Sequence, residues 1–159
     1  MPTRKTKGRF IQPMLLLRTD ARPNDREHWQ YELKVDGYRA IAFKAGGKLR
    51  SRNNNDFTKR YPGVLKGLAK LPNETVIDGE VVAFDADGRP SFNALQNFAS
   101  AETAIVSYVF DLLVLAGRDV RGETLEPRRE LLERRVVRSS RSPSSTWSWK
   151  RVSAISSRP

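Results

Sequence analysis

Residues 75–84 read TVIDGEVVAF, a run of strand formers broken by two carboxylates and a glycine. Alternation on a pleated strand puts Val76, Asp78, Glu80 and Val82 on one face and Ile77, Gly79, Val81 and Ala83 on the other. Two unpaired acids in an otherwise apolar strand cost on the order of several kcal/mol. Whatever this chain folds into must therefore bring a cation or hydrogen-bond donors to that face, and Lys34, Arg39, a divalent metal and ribose hydroxyls are the candidates. Reading Asp78-Gly79 as a turn would leave the acids in water, but the strand formers on both sides speak against it.

The surrounding sequence supplies more strands than helices. Residues 30–45 alternate around Asp36-Gly37, the pattern of a hairpin with a two-residue turn. Residues 48–52 continue as a short strand after Gly46-Gly47. Residues 62–71 read as a short helix with Val64, Leu65 and Leu68 on one side, stopped by Pro72-Asn73. The cluster Asp85-Ala86-Asp87-Gly88 is a turn; it has the start of a calcium loop but lacks the remaining ligands. Ser91 is placed to cap a helix reaching about Phe98. Residues 104–115 form another strand, apolar on both faces and therefore central. After a turn at Gly117, a helix starts at Pro127. The class is α+β with a mostly antiparallel sheet, and no internal repeat is visible.

In the expected 30–43 hairpin, Glu32 and Lys34 share one face, and Lys34 lies opposite Arg39. Two cations opposed in a ladder repel, so the pair makes sense with an anion such as phosphate between them. Arg39 would then favour the unprotonated, nucleophilic form of the Lys34 amine. A solvated hairpin face with long side chains in water satisfies the same spacing. Arg52, within Ser51-Arg52-Asn53, ends a short strand, and its guanidinium suits bidentate phosphate contact.

Composition narrows the chemistry. The 159 residues contain no Cys and one His, His28, which removes disulfides, thiolate nucleophiles and Cys-ligated zinc, argues against a Ser-His-Asp site, and fits an intracellular compartment. No apolar run approaches the ~20 residues that cross a bilayer. The net charge of +11 suggests an acidic partner, but it is unevenly spread: residues 1–133 carry +4 and residues 134–159 carry +7 with no acid at all. Residues 1–9 form a basic N-terminal arm, followed by an apolar patch at 14–17 too short for a secretion signal. Residues 136–159 read as a disordered Ser/Arg-rich tail, with nine serines among its last 21 residues. Trp147 and Trp149 are unusual in such a segment and could form an anchoring strand.

With Glu32-x-Lys34-x-Asp36-Gly37-x-Arg39 in place, followed in order by Ser51-Arg52-Asn53, Asp78-Gly79-Glu80 and Phe110-Asp111-Leu112-Leu113, residues 10–135 resemble the adenylation (nucleotidyltransferase) domain of ATP-dependent DNA ligases. Pro13-Met14-Leu15, residues 29–39 and Pro127-Arg128-Arg129-x-Leu131-Leu132 resemble most the bacterial end-joining, ligase D type. The resemblance implies an antiparallel-sheet-rich, ATP-grasp-like nucleotidyltransferase fold, incomplete at its C-terminus. It implies ATP and Mg²⁺ as cofactors, nicked or broken double-stranded DNA as partner, possible end-joining proteins beside it, and a bacterial, nucleoid-associated cytoplasmic setting without a membrane. Lys34 would be the catalytic nucleophile, forming lysyl-AMP. Glu32, Arg39, Glu80 and Phe110 would bind the nucleotide, Arg52 the DNA phosphate, and Glu80 a metal. The family's later Glu-Gly-x-x-x-Lys and Lys-x-Lys segments are not found, and the acid-free tail begins where they should stand, as a frameshifted or prematurely ended reading frame would look. Two other readings share these features: a non-catalytic nucleic-acid-binding protein using the basic tail, and an RNA ligase or capping-type nucleotidyltransferase. The phrase Trp29-x-Tyr31-Glu32 with Gly37-x-Arg39 favours the DNA branch over the latter.

Overall fold

The computed structural model describes residues 7–15, 18, 34–98, 103–137 and 147–148. Among these, strand β1 (Tyr38–Phe43) runs antiparallel to β2 (Lys48–Ser51) and to β3 (Val76–Ala83), which in turn pairs with the long β4 (Ile105–Leu115). A two-residue β5 (Arg118–Asp119) extends β4 antiparallel at one end, giving the order β2-β1-β3-β4-β5. Three helices pack with the sheet: α1 (Pro62–Leu68), α2 (Phe92–Gln96) and α3 (Leu125–Leu132), the last followed by a π-helical turn over Glu133–Val137. The expected α+β class and the central placing of residues 104–115 both hold.

The helices cover one face of the sheet. Val64 and Leu68 of α1, Leu95 of α2 and Leu132 of α3 are buried in one cluster with Ala40, Leu49, Ile77, Val81, Val109 and Leu112. Ser91 caps α2 as expected, its hydroxyl accepting from the Ala94 N–H at 3.2 Å. Helix α3 starts two residues before Pro127, at Leu125. Pro127 still lies in the first turn, where the missing N–H would have had no partner in the helix.

The opposite face is divided along its length. At one end Ile41, Phe43, Val76, Leu113 and Val114 form a second apolar cluster, against which Phe10 and Ile11 pack. The basic N-terminal arm is thus tied down where it is described, since the Gly8 N–H also donates to the Glu74 carboxylate. At the other end the same face carries Arg39, Asp78 and Glu80, which follow Ile41 and Val76 in the strand alternation.

The hairpin expected at Asp36-Gly37 is not formed. Lys34, Val35 and Asp36 lie in no strand, residues 30–33 fall outside the described ones, and β1 turns back instead through residues 44–47 into β2. There Gly46 and Gly47 take φ of 71° and 55°, the left-handed conformation glycine tolerates. Gly37 does not have a positive φ. A Cβ on it would stand 2.2 Å from the Val81 carbonyl oxygen, so glycine is required here by a close backbone crossing rather than by a turn. Arg39 consequently faces Glu80 across the β1–β3 ladder, not Lys34.

Strand β4 contains two register shifts against β3. Val109, Leu112 and Leu115 belong to the helix-covered core, whereas the residues between them, Phe110 with Asp111 and Leu113 with Val114, come in pairs. Strict alternation allows one outward residue between two inward ones; each bulge adds a second.

Within the tail, the anchoring strand considered at Trp147 is present over two residues. Trp147–Ser148 form a short β6 parallel to β4, opposite Ser107 and Tyr108. The rest of the tail from residue 138 lies outside the described residues.

Close approach also governs Gly79, where a Cβ would meet the Tyr108 carbonyl oxygen at 2.5 Å. Gly79→Ala is therefore expected to destabilise the fold by about 1–3 kcal/mol or more. Gly122→Ala, with nothing within 4 Å, should stay within about 0.5 kcal/mol. Urea denaturation of both variants checks the pair.

Candidate active site

The site begins where the chain joins the sheet. Lys34 and Asp36 are exposed just ahead of Gly37, whose N–H donates to Glu80 Oε1 at 3.1 Å. That bond fastens the segment carrying Lys34 to the middle of β3, and the Lys34 charge lies near enough to act on Glu80.

Two residues further along both strands, Arg39 grips Asp78 with both ends of its guanidinium, Nε to Oδ1 and Nη2 to Oδ2, each at 2.7 Å. This answers the demand set by the two acids in the apolar strand: of the candidates, it is Arg39 that neutralises Asp78. The same guanidinium lies over the Phe110 ring, 4.5 Å from its centroid. Burial opposes the Arg39 charge, but Asp78, with Glu80 and Asp111 beyond it, more than offsets this and holds the group above its ordinary range. Asp78 is buried more deeply, its side chain only 4% exposed, and burial keeps its carboxyl above the usual range despite the arginine.

Burial likewise raises Glu80; Arg39, the Gly37 N–H and Lys34 pull it back in part, while Asp36 adds to the rise. Asp111 is raised by burial too, against the pull of Arg128 and the Leu112 N–H, with Asp78 adding to the rise. Asp78 and Asp111 are cross-strand partners, and each has its own arginine: Arg128 Nη1 of α3 stands 2.6 Å from Asp111 Oδ2.

The structure thus brings together Lys34, Arg39, Glu80 and Phe110. Arg52 is placed beside them by its main chain, donating its N–H to the Arg39 carbonyl at 3.1 Å, with its side chain exposed. Glu32 lies outside the described residues. Among the described residues no group of three or more His, Cys, Asp or Glu could cage a metal. Glu80 would accordingly serve at most as one carboxylate ligand, an arrangement Mg²⁺ accepts when phosphates complete its shell. Sequence reasoning passed over three residues of this network, Asp78, Asp111 and Arg128, as members of the site. For the two acids the signal was present, a carboxylate in an apolar strand; for Arg128 the signal was its place in the phrase Pro127-Arg128-Arg129-x-Leu131-Leu132, which did not single it out from Arg129.

Residues 13–157 match the family model described as the ATP dependent DNA ligase domain. The chain belongs to the ATP-dependent DNA ligase domain family. Among ligase relatives it is 42% identical over 129 residues to the multifunctional non-homologous end joining protein LigD of Pseudomonas aeruginosa, covering 78% of this chain and 15% of that protein. It is 38% identical over 127 residues to the multifunctional non-homologous end joining DNA repair protein LigD of Mycobacterium tuberculosis, covering 77% and 16%. The crystal structure of the ligase domain of M. tuberculosis LigD superposes with a TM-score of 0.57 at 38% identity, covering 64% of this chain and 34% of that one. A mycobacterial DNA ligase D complexed with ATP and MES gives 0.55 at 39%, covering 65% and 35%. This ligase-family chain therefore spans about a sixth of the LigD proteins it matches and about a third of the solved ligase chains. The expected fold is that of the ligase domain.

The raised Glu80 carboxyl carries a testable sign. A carboxyl whose folded value is raised binds its proton more readily in the folded chain, so its stabilising contribution is complete below the unfolded value and lost as pH rises through the folded one. Glu80→Gln keeps an oxygen for the Gly37 N–H and removes the buried charge. It should be more stable than the parent at neutral pH, with the difference shrinking as pH falls to about 4. Denaturant titrations across that range decide it; a difference that grows on acidification would count against the assignment.

Proposed function

We propose that this chain provides the nucleotidyl-transfer site of an ATP-dependent DNA ligase of the end-joining type, acting on nicked or broken double-stranded DNA in repair and recombination, in the bacterial cytoplasm at the nucleoid. The observation that carries this reading is the grouping of Lys34, Arg39, Glu80 and Phe110 at one end of the sheet face opposite the helix-packed core, in a chain of the ligase family. Lys34 is the exposed amine of the group. Once deprotonated, its Nζ attacks the α-phosphorus of ATP; a P–N bond forms, the bond to the bridging oxygen breaks, and pyrophosphate leaves. The AMP then passes from Lys34 to a DNA 5′-phosphate, and a 3′-hydroxyl displaces it to close the strand.

Within this scheme Phe110 offers a ring face for the base, Arg39 and Glu80 hold the ribose or phosphate region, Glu32 contacts adenine, and Arg52 takes a phosphate of the broken strand. Arg39 brings its charge already oriented, because Asp78 fixes the plane of its guanidinium. Mg²⁺, when bound, would neutralise phosphate charge, with Glu80 as the carboxylate to hold it. Activation of the Lys34 amine by an opposing arginine is not part of the scheme, since Arg39 stands across from Glu80. End-joining proteins are the partners that the LigD likeness suggests.

After Glu133, where the ligase resemblance calls for them, the chain contains neither Glu-Gly-x-x-x-Lys nor Lys-x-Lys, and each missing transition-state donor costs about 10²–10³ in rate. Incubated alone with Mg²⁺ and α-labelled ATP, the chain should form little covalent label. What forms should vanish in Lys34→Ala, and nicks should stay unsealed. Equal label in the parent and Lys34→Ala, or no ATP binding at all, would overturn the proposed function. Robust Lys34-dependent label would overturn only the expected low yield.

A further inference from the structure

We propose that helix α3 sets the pose of Phe110 through a clamp between Arg128 and Asp111, making these two positioning residues for the aromatic ring of the site. The proposal rests on the reading of Phe110 as a base-stacking residue only for its effect on ATP; the clamp itself is a property of the fold.

The geometry starts at the bulge. Phe110 and Asp111 both turn away from the helix-covered core because β4 carries an extra residue there. A bulge leaves the local ladder incomplete, and here Asp111 repairs it: its Oδ1 accepts the N–H of the next residue, Leu112, at 2.8 Å. Its Oδ2 is taken by Arg128 Nη1 at 2.6 Å. Both carboxylate oxygens are thus committed, one to the bulge backbone and one to α3.

The pair is largely withdrawn from water, with Arg128 and Asp111 side chains 15% and 18% exposed. Removing one partner from such a pair leaves an uncompensated charge, unlike the loss of an exposed pair. Here the charge would be left beside Asp78, its cross-strand neighbour. Arg128 is held in turn, because Leu132, one helical turn later, is fully buried in the main core. A row of charges results from β1 to α3: Asp78 and Asp111 lie side by side across the ladder, each held by its own arginine, Arg39 and Arg128, with the Phe110 ring beneath Arg39. Displacing Asp111 therefore moves the residue bonded to it, Phe110, relative to the Arg39 guanidinium.

The test has an arm without nucleotide and an arm with it. In the free protein, the Arg39 Nε–H resonance should carry an upfield ring-current shift from Phe110, assignable by its loss in Phe110→Leu. Arg128→Gln and Asp111→Asn should each collapse that shift, the second while keeping an oxygen for the Leu112 N–H. Arg128→Lys should restore much of it, since the ion pair uses a single nitrogen of Arg128. Arg134→Gln, which removes an equal charge from an exposed pair with Glu130, should leave it unchanged. With ATP added, the dissociation constant should rise roughly 3- to 30-fold in Arg128→Gln and stay near the parent value in Arg134→Gln. A folded Asp111→Asn or Arg128→Gln protein with the Arg39 resonance unmoved would overturn the clamp, whatever ATP does. Should the parent bind no ATP, the functional reading falls while the resonance still decides the clamp.

Discussion

The bidentate grip of Arg39 on Asp78 is the contact on which the site side of the sheet depends. Asp78 is the most deeply buried charge of a mostly apolar strand, and without the arginine its charge would be buried without compensation, a loss of about 3–5 kcal/mol when one partner of such a pair is removed. Meeting that need fixes the rest. The guanidinium plane is set by the carboxylate, its face comes to lie on Phe110, and its charge is presented beside Glu80. The same two side chains thus serve the stability of the β1–β3 pair and the electrostatics of the open end of the sheet.

Two close backbone approaches set the frame in which that pair works. Gly37 lets the incoming chain pass against the Val81 carbonyl, and Gly79 lets β4 press against β3 beside Tyr108. One approach delivers Lys34 to Glu80, and the other lies at the register shift that turns Phe110 outward. The position of the site's side chains is therefore written largely in main-chain geometry, which is why residues with no side chain are among its most constrained.

What could be read in the sequence was whatever had one inexpensive physical solution. Two acids in a valine-rich strand require a cation, and Arg39 was among the few available; Ser91 ahead of a helical run could only cap it. The Asp36-Gly37 dipeptide misled because glycine answers two different needs, a left-handed turn or room for a neighbouring backbone, and the sequence does not say which. The bulges left no trace either, since Phe110-Asp111-Leu112-Leu113 reads as a plain central strand until its register with β3 is known. Arg128 was indistinguishable from Arg129 and Arg134, its neighbours in an arginine-rich helix. Trp147 stood out from its serine-rich surroundings, but composition alone could not say that it pairs with β4.

The paired outward residues of β4 separate what the fold requires from what the site requires. Were Phe110 absent, Val109, Asp111 and Leu112 would follow one another in simple alternation, and Gly79 and Asp78 would each keep a partner across the ladder. The inserted residue is dispensable to the sheet's own logic. What it adds lies on the site face, where its ring sits under the Arg39 guanidinium, so the surface that the site presents and the ladder that holds the sheet together draw on different residues of one strand.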